Sequence, residues 1–168
     1  MQTSRLLLRQ FTLDDAEAYK PLVSDPAVIR YTGEEPQESI EAVRQILETR
    51  PLRDYSIHGY GRMACIEKST GRLVGFCGLK YLEDIKEVDI GYRFVPDTWG
   101  KGYATESSMA VMNQCKIEQK IRRVIGLVES ENLTSVNVLK KLAFVFERSV
   151  KLEDNKEHLD LYAVSLFQ

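Results

Sequence analysis

The chain has no apolar run long enough to span a membrane, so no membrane segment is expected among its 168 residues. It also lacks an excess of either charge: 23 Lys and Arg against 25 Asp and Glu leave a formal net charge of −2. The cations are scattered apart from the pairs Arg122-Arg123 and Lys140-Lys141, which gives no basic footprint for nucleic acid. An Arg-flanked strand pattern stands at the N-terminus where a signal peptide would be apolar, and the expected location is the cytoplasm. Histidine is scarce. Only His58 and His158 could serve a metal or activate a thiol, and neither sits in a supporting motif, so no metal is expected. The cysteines Cys65, Cys77 and Cys115 are odd in number, far apart and set among apolar residues, which reads as free buried thiols. Repeats, linkers and low-complexity segments are missing too. With 43% hydrophobic and 29% charged residues, residues 1–168 read as one compact domain.

Against these absences stands one dense signal, Asp97-Thr98-Trp99-Gly100-Lys101-Gly102-Tyr103-Ala104-Thr105-Glu106. The run before it, Val88 to Val95, alternates apolar and polar residues, is rich in aromatic and β-branched types and stops at Pro96, as a strand does. After it, Ala104, Ser108, Val111, Met112 and Cys115 recur at helical spacing, with small Ser107 and Ala110 permitting close packing on a sheet. A glycine turn between strand and helix lets the backbone approach a ligand, and the first free N–H groups of the helix then face it with the positive dipole end behind them. A phosphate or pyrophosphate is the natural guest. The turn is not a P-loop, because one residue separates the glycines and Tyr103 follows Gly102. Nor is it a dinucleotide fingerprint, since the third glycine position is Thr105 and the turn comes late in the chain.

The turn Trp99-Gly100-Lys101-Gly102-Tyr103-Ala104 resembles the acetyl-CoA pyrophosphate loop of the GNAT acyltransferases, with Trp99 standing where Arg or Gln is usual. It is similar to the subgroup that includes the ribosomal-protein N-terminal acetyltransferases. Further segments resemble that subgroup in order: Thr3 to Arg9, Asp14 to Glu17, Gly71 to Leu79, Asn132-Leu133-Thr134-Ser135, and Lys140 to Phe144 with Ala143 in place of Gly. The resemblance implies an α/β fold: a single GNAT-type domain with a central mixed, mostly antiparallel twisted sheet, splayed between its fourth and fifth strands, and helices on both faces. It implies acetyl-CoA as cosubstrate, with its pantetheine arm at the backbone of Phe94 and Val95. The pyrophosphate would meet Trp99, Gly100, Lys101, Gly102, Tyr103, Ala104 and Thr105, with Asn132 and Lys141 as further cofactor contacts.

The remaining elements follow from periodicity. Strands are expected near Arg5 to Gln10, Gly61 to Glu67, Leu73 to Tyr81, Ile121 to Glu129, Phe144 to Ser149 and Leu159 to Leu166. Helices are expected over Asp14 to Val23, Gln37 to Arg50 and Leu133 to Leu142, with a turn at Ser24-Asp25-Pro26. Gly91, inside a strand, marks either a splay of the sheet or room for a neighbouring aromatic. Asp89 alternates with Val88 and Ile90 and is either a solvated surface charge or the base that accepts the amine proton, directly or through water. Asn132 and Ser135 project from one face of a helix start; they suit a cap, and by resemblance Ser135 is the donor to the leaving thiolate. Many GNAT enzymes carry a Tyr acid where this chain has Leu139. Acidic clusters at Glu34, Glu35, Glu38 and at Glu83, Asp84, Glu87 read as solvated loops, or as a rim attracting a cationic amine.

The expected function is acetyl-CoA-dependent N-acetylation of a primary amine by direct attack on the thioester. A protein or peptide N-terminus is one acceptor. A small amine (amino acid, polyamine or antibiotic) is the alternative, as is a CoA-binding module with little turnover. The expected assembly is a monomer or homodimer.

Overall fold

The computed structural model describes residues 1–152 and 158–167. Seven strands form one sheet: β1 (Leu6–Arg9), β2 (Arg62–Glu67), β3 (Leu73–Leu82), β4 (Glu87–Phe94), β5 (Arg123–Val128), β6 (Val145–Val150) and β7 (Leu159–Ser165). Their order across the sheet is β1-β2-β3-β4-β5-β7-β6. Every neighbouring pair is antiparallel except β4 and β5. A parallel neighbour requires a crossover, and the helix α6 (Tyr103–Glu118) supplies it.

Strand alternation sorts the side chains onto two faces. Leu8, Cys65, Cys77, Ile90 and Phe94 join Val111, Met112 and Cys115 of α6, and Val136 and Leu139 of α7 (Leu133–Lys141), in the larger core. Ala64 and Phe76, one residue out of phase with Cys65 and Cys77, pack on the other face. They meet α1 (Ala16–Tyr19), α2 (Pro21–Ser24) and α4 (Ile40–Leu47) through Ala16, Tyr19, Leu22, Val23, Val43 and Leu47. Helices thus cover both faces. The small residues of α6 act as expected: Ser107 and Ser108 are fully buried, and Ser107 Oγ donates to Tyr103 O at 2.8 Å. All three cysteines are free and buried.

Two helical expectations are corrected, each at a proline or a cap, and the turn at Ser24-Asp25-Pro26 is present with a further short helix after it. The Asp14 to Val23 helix is a 3-10 turn (Leu13–Asp15) followed by α1 and α2, with Pro21 opening the second. At Ser24-Asp25-Pro26 the chain turns and at once starts α3 (Pro26–Ile29), because Asp25 Oδ1 accepts from Ala27 N at 2.9 Å and proline is at home in a first helical turn. The Gln37 to Arg50 helix starts later, capped by Ser39, and does not stop at Pro51. A π turn over Glu48–Leu52 absorbs the proline, and α5 (Arg53–His58) continues to a left-handed Gly59. The wider turn bypasses the hydrogen bond that Pro51 cannot donate.

Candidate active site

The parallel pair β4 and β5 is joined at a single register position, Asp89 with Ile125, and then separates. On its other edge β4 is bonded to β3 throughout, and Val95 N donates to Val74 O at 3.0 Å. Backbone groups alternate sides along a strand, so those of Tyr92 and the N–H of Phe94 face the gap. Val95 faces the other way: its carbonyl accepts from Thr98 N and Oγ1, at 3.0 and 2.8 Å. The Phe94 carbonyl accepts from Trp99 Nε1 at 2.7 Å. Trp99, half-exposed, is thus a strut from the glycine turn to the end of β4.

A cavity of about 480 Å3 opens at the gap and brings together Asp89, Gly91, Tyr92, Asn132, Ser135 and Leu139. Asp89 is no solvated charge. It is 7% exposed, its Oδ1 accepts from Leu127 N of β5 at 3.1 Å, and its Oδ2 lies 3.9 Å from Arg62 Nη2. The carboxylate therefore takes an N–H that a continuous β4-β5 ladder would have used. Burial raises its pKa, against the opposing pull of Arg62 and the Leu127 N–H. Gly91 makes room for a cation, not for an aromatic ring: a Cβ there would stand 2.8 Å from Arg62 Nε and 2.9 Å from its Nη2.

Across the gap Ser135 Oγ is 2.8 Å from Tyr92 Oη, and Tyr92 Oη also donates to the Ser135 carbonyl at 3.1 Å. Burial pushes the phenol of Tyr92 up, so it stays protonated. Tyr92 is the residue the sequence reading passed over. Alternation already put it on the face opposite Asp89, but only the fold sets it beside α7. Leu139, fully buried in the core, offers no polar group. Asn132 caps α7, its Oδ1 accepting from Ser135 N at 3.1 Å, which bears out the cap expectation and leaves its amide N–H2 beside the cavity.

The glycine turn lies at the far end. Gly100 and Gly102 adopt φ of +75° and +82°, conformations that favour glycine, and a Cβ at Gly100 would meet nothing within 4 Å. Gly102 is the N-cap of α6 and gives no side-chain cap, so the first N–H groups of the helix, at Tyr103, Ala104 and Thr105, keep no partner within it. Gly102, Thr105 and Lys141 line a second cavity with Thr3 and Glu106. The Tyr103 side chain turns inward and donates to Glu67 Oε1 at 2.6 Å. Lys101 is exposed on the turn. Arg5 pairs with Glu106 and Thr3 donates to it, and the Glu106 pKa falls to about 2: burial would raise it, but hydrogen bonds from Thr3 and Arg5 outweigh that.

A family model described as an acetyltransferase (GNAT) domain matches residues 5–145. The chain belongs to the GNAT acetyltransferase family. It is 30% identical to the uncharacterized N-acetyltransferase p20 of Bacillus licheniformis over 172 residues, covering 100% of this chain and 96% of that one. Two solved GNAT structures carry coenzyme A. The RimL ribosomal L7/L12 alpha-N-protein acetyltransferase has a TM-score of 0.82 and 21% identity, covering 97% of this chain and 95% of its own. The spermidine N-acetyltransferase of Vibrio cholerae, with CoA and spermine, has a TM-score of 0.76 and 18% identity, covering 97% and 96%. As a GNAT enzyme the chain is an acetyl-CoA-dependent acetyltransferase. The open glycine cradle and unpartnered helix N–H groups fit a pyrophosphate. No helix of the described residues is long and apolar enough to cross a membrane, and those residues hold no cluster that could bind a metal.

Proposed function

We propose that this protein N-acetylates a primary amine by direct attack at the gap between β4 and β5, with Asp89 as the base. The observation that carries the reading is the buried Asp89 carboxylate at the one point where the two strands still touch. When bound, acetyl-CoA supplies the thioester whose carbonyl the amine attacks. The first N–H groups of α6 and the turn at Gly100 and Gly102 hold its pyrophosphate, and Lys141 and the Asn132 amide support its length. The gap-facing N–H of Phe94 polarises the carbonyl oxygen. Asp89, its pKa raised by burial, takes the proton from the amine directly or through one water. The Ser135 hydroxyl, backed by the protonated Tyr92, returns a proton to the departing thiolate.

Asp89→Asn tests the reading. Turnover should fall roughly 10²-fold or more, the usual scale for a general base, while acetyl-CoA affinity measured by calorimetry stays put. The wild-type rate should fall as pH drops through the raised Asp89 pKa, because the protonated acid cannot accept; that acidic limb should vanish in the variant. An unchanged rate and limb would remove Asp89 from the mechanism.

A further inference from the structure

The acceptor side of the cleft is walled by side chains leaving one face of the sheet: Arg62 from β2, Lys80 from β3, Asp89 and Arg93 from β4. Arg50, delivered by the π turn, and Glu34 complete the wall. Its four cations are unequally matched. Glu34 is used up, one oxygen bound by Arg50 and the other by Arg93 Nη2 at 2.8 Å, and the two arginines hold its pKa down although burial alone would raise it. Asp89 is engaged by Leu127 and faces Arg62. What remains unsatisfied is a set of donors. Arg62 Nε is buried with no hydrogen-bond partner. Among the described residues the Lys80 side chain makes no hydrogen bond and no ion pair within 4.0 Å, and its pKa is lowered by burial and then by Arg62 and Arg50, against the weaker opposing pull of Asp89 and Asp54. Asp84 and Glu129 also line the cavity, but Asp84 is exposed and Glu129 half-buried, so water reaches both.

A buried donor without an acceptor costs free energy that an incoming acceptor removes, and an anion removes most. We propose that the acceptor carries a carboxylate close to its amine, held by Arg62 and Lys80 beside Asp89. The 3.9 Å between Arg62 and Asp89 brings the two groups of the acceptor close together. That chemistry belongs to a free amino acid or to a peptide with an acidic first residue. A polyamine would bring more donors to a wall whose buried cations already lack acceptors, the opposite of the cationic amine that the acidic clusters, two of whose members (Glu34 and Asp84) line the cavity, would draw in. The inference rests on the acetyl-transfer reading above.

The test measures thiol release from acetyl-CoA with L-glutamate, L-glutamine amide, amidated peptides beginning Glu-Glu or Lys-Lys, and spermidine. Carboxylate-bearing acceptors should exceed their neutral or cationic counterparts in kcat/KM on the order of tenfold to hundredfold, the range for hydrogen bonds to charged groups. That preference should collapse in Lys80→Glu and shrink in the milder Lys80→Gln. Glutamate ahead of the Glu-Glu peptide points to an amino acid, the reverse to a peptide N-terminus. Spermidine, the Lys-Lys peptide or the amide performing as well as the carboxylates overturns the proposal. Failure of every amine would sink the acetyl-transfer reading and leave a binding comparison to decide this one. CoA-loaded protein should bind N-acetyl-L-glutamate more tightly than N-acetyl-L-glutamine amide, and lose the difference in Lys80→Glu; equal affinities in the wild type overturn the carboxylate site.

Discussion

The two ends of the cleft are built from different material. The end proposed for the cofactor is mainly backbone: two glycines in left-handed conformations and the unpartnered N–H groups at the start of α6, all within a few residues of one another, with Lys141 and Asn132 as side-chain additions. The end proposed for the acceptor is side chain: Arg62, Lys80, Asp89, Arg93, Arg50 and Glu34 come from three strands, a π turn and a loop. A backbone cradle needs only short-range sequence, whereas a side-chain wall exists only once distant segments meet. The first end should therefore respond to changes in backbone conformation, and the second to changes in charge.

The sharpest way to break this division is Gly102→Val. A branched residue at φ +82° costs roughly 1–2 kcal/mol in backbone strain and puts carbon 3.6 Å from Arg5 Nη2, where the pyrophosphate is proposed to meet the chain. The acetyl-CoA dissociation constant should rise on the order of a hundredfold, as expected where several hydrogen bonds to a charged group are lost together, with the far-ultraviolet circular dichroism unchanged. Affinity at the wild-type level would move the pyrophosphate elsewhere. The hydroxyl pair comes next. Tyr92→Phe and Ser135→Ala should each lower kcat by about 10²-fold, the lower end of general acid catalysis, and the double variant should cost little beyond the larger single effect, because the two act as one unit. Full additivity in steady-state rates would separate them.

The legibility of the two ends follows the same line. The turn from Asp97 to Glu106, the strand before it and the helix after it were readable because alternation, helical spacing and paired glycines are all local. Asp89 and Ser135 were nameable from spacing and resemblance, but their partners were not. Tyr92 lies 43 residues from Ser135 and Asp89 lies 38 from Leu127, separations no periodicity spans. Arg50 was missed for a local reason. Pro51 reads as a stop, and a π turn that carries a helix past a proline leaves no pattern in a window tuned to 3.6 residues. Of the two readings of Gly91, the splay agrees with strands that pair only at Asp89 and Ile125, whereas the aromatic neighbour is replaced by a side chain from β2, two strands away.

Smaller effects refine the boundary between cofactor contact and scaffold. Asn132→Ala removes the cap of α7 and should lower stability by about 1 kcal/mol in chemical denaturation; a rise in the acetyl-CoA dissociation constant alongside it would assign the free amide to the cofactor. Ala143 stands at φ +64°, the position where the resembling pattern has glycine. Ala143→Gly should stabilise the protein by up to about 1 kcal/mol and leave kinetics alone, since relief of left-handed strain outweighs the added freedom of the unfolded chain. Destabilisation on that exchange would mean that the alanine methyl packs usefully.

The contact between Asp89 and Leu127 gives the protein a built-in spectroscopic handle. Leu127 donates its amide proton to the very carboxylate assigned the role of base, at 3.1 Å. Taking up a proton weakens that oxygen as an acceptor, so the nitrogen and proton resonances of one backbone amide should titrate with Asp89. A single labelled leucine on β5 then reads the charge state of the site without any substrate present, and its midpoint can be laid directly against the acidic limb of the rate profile.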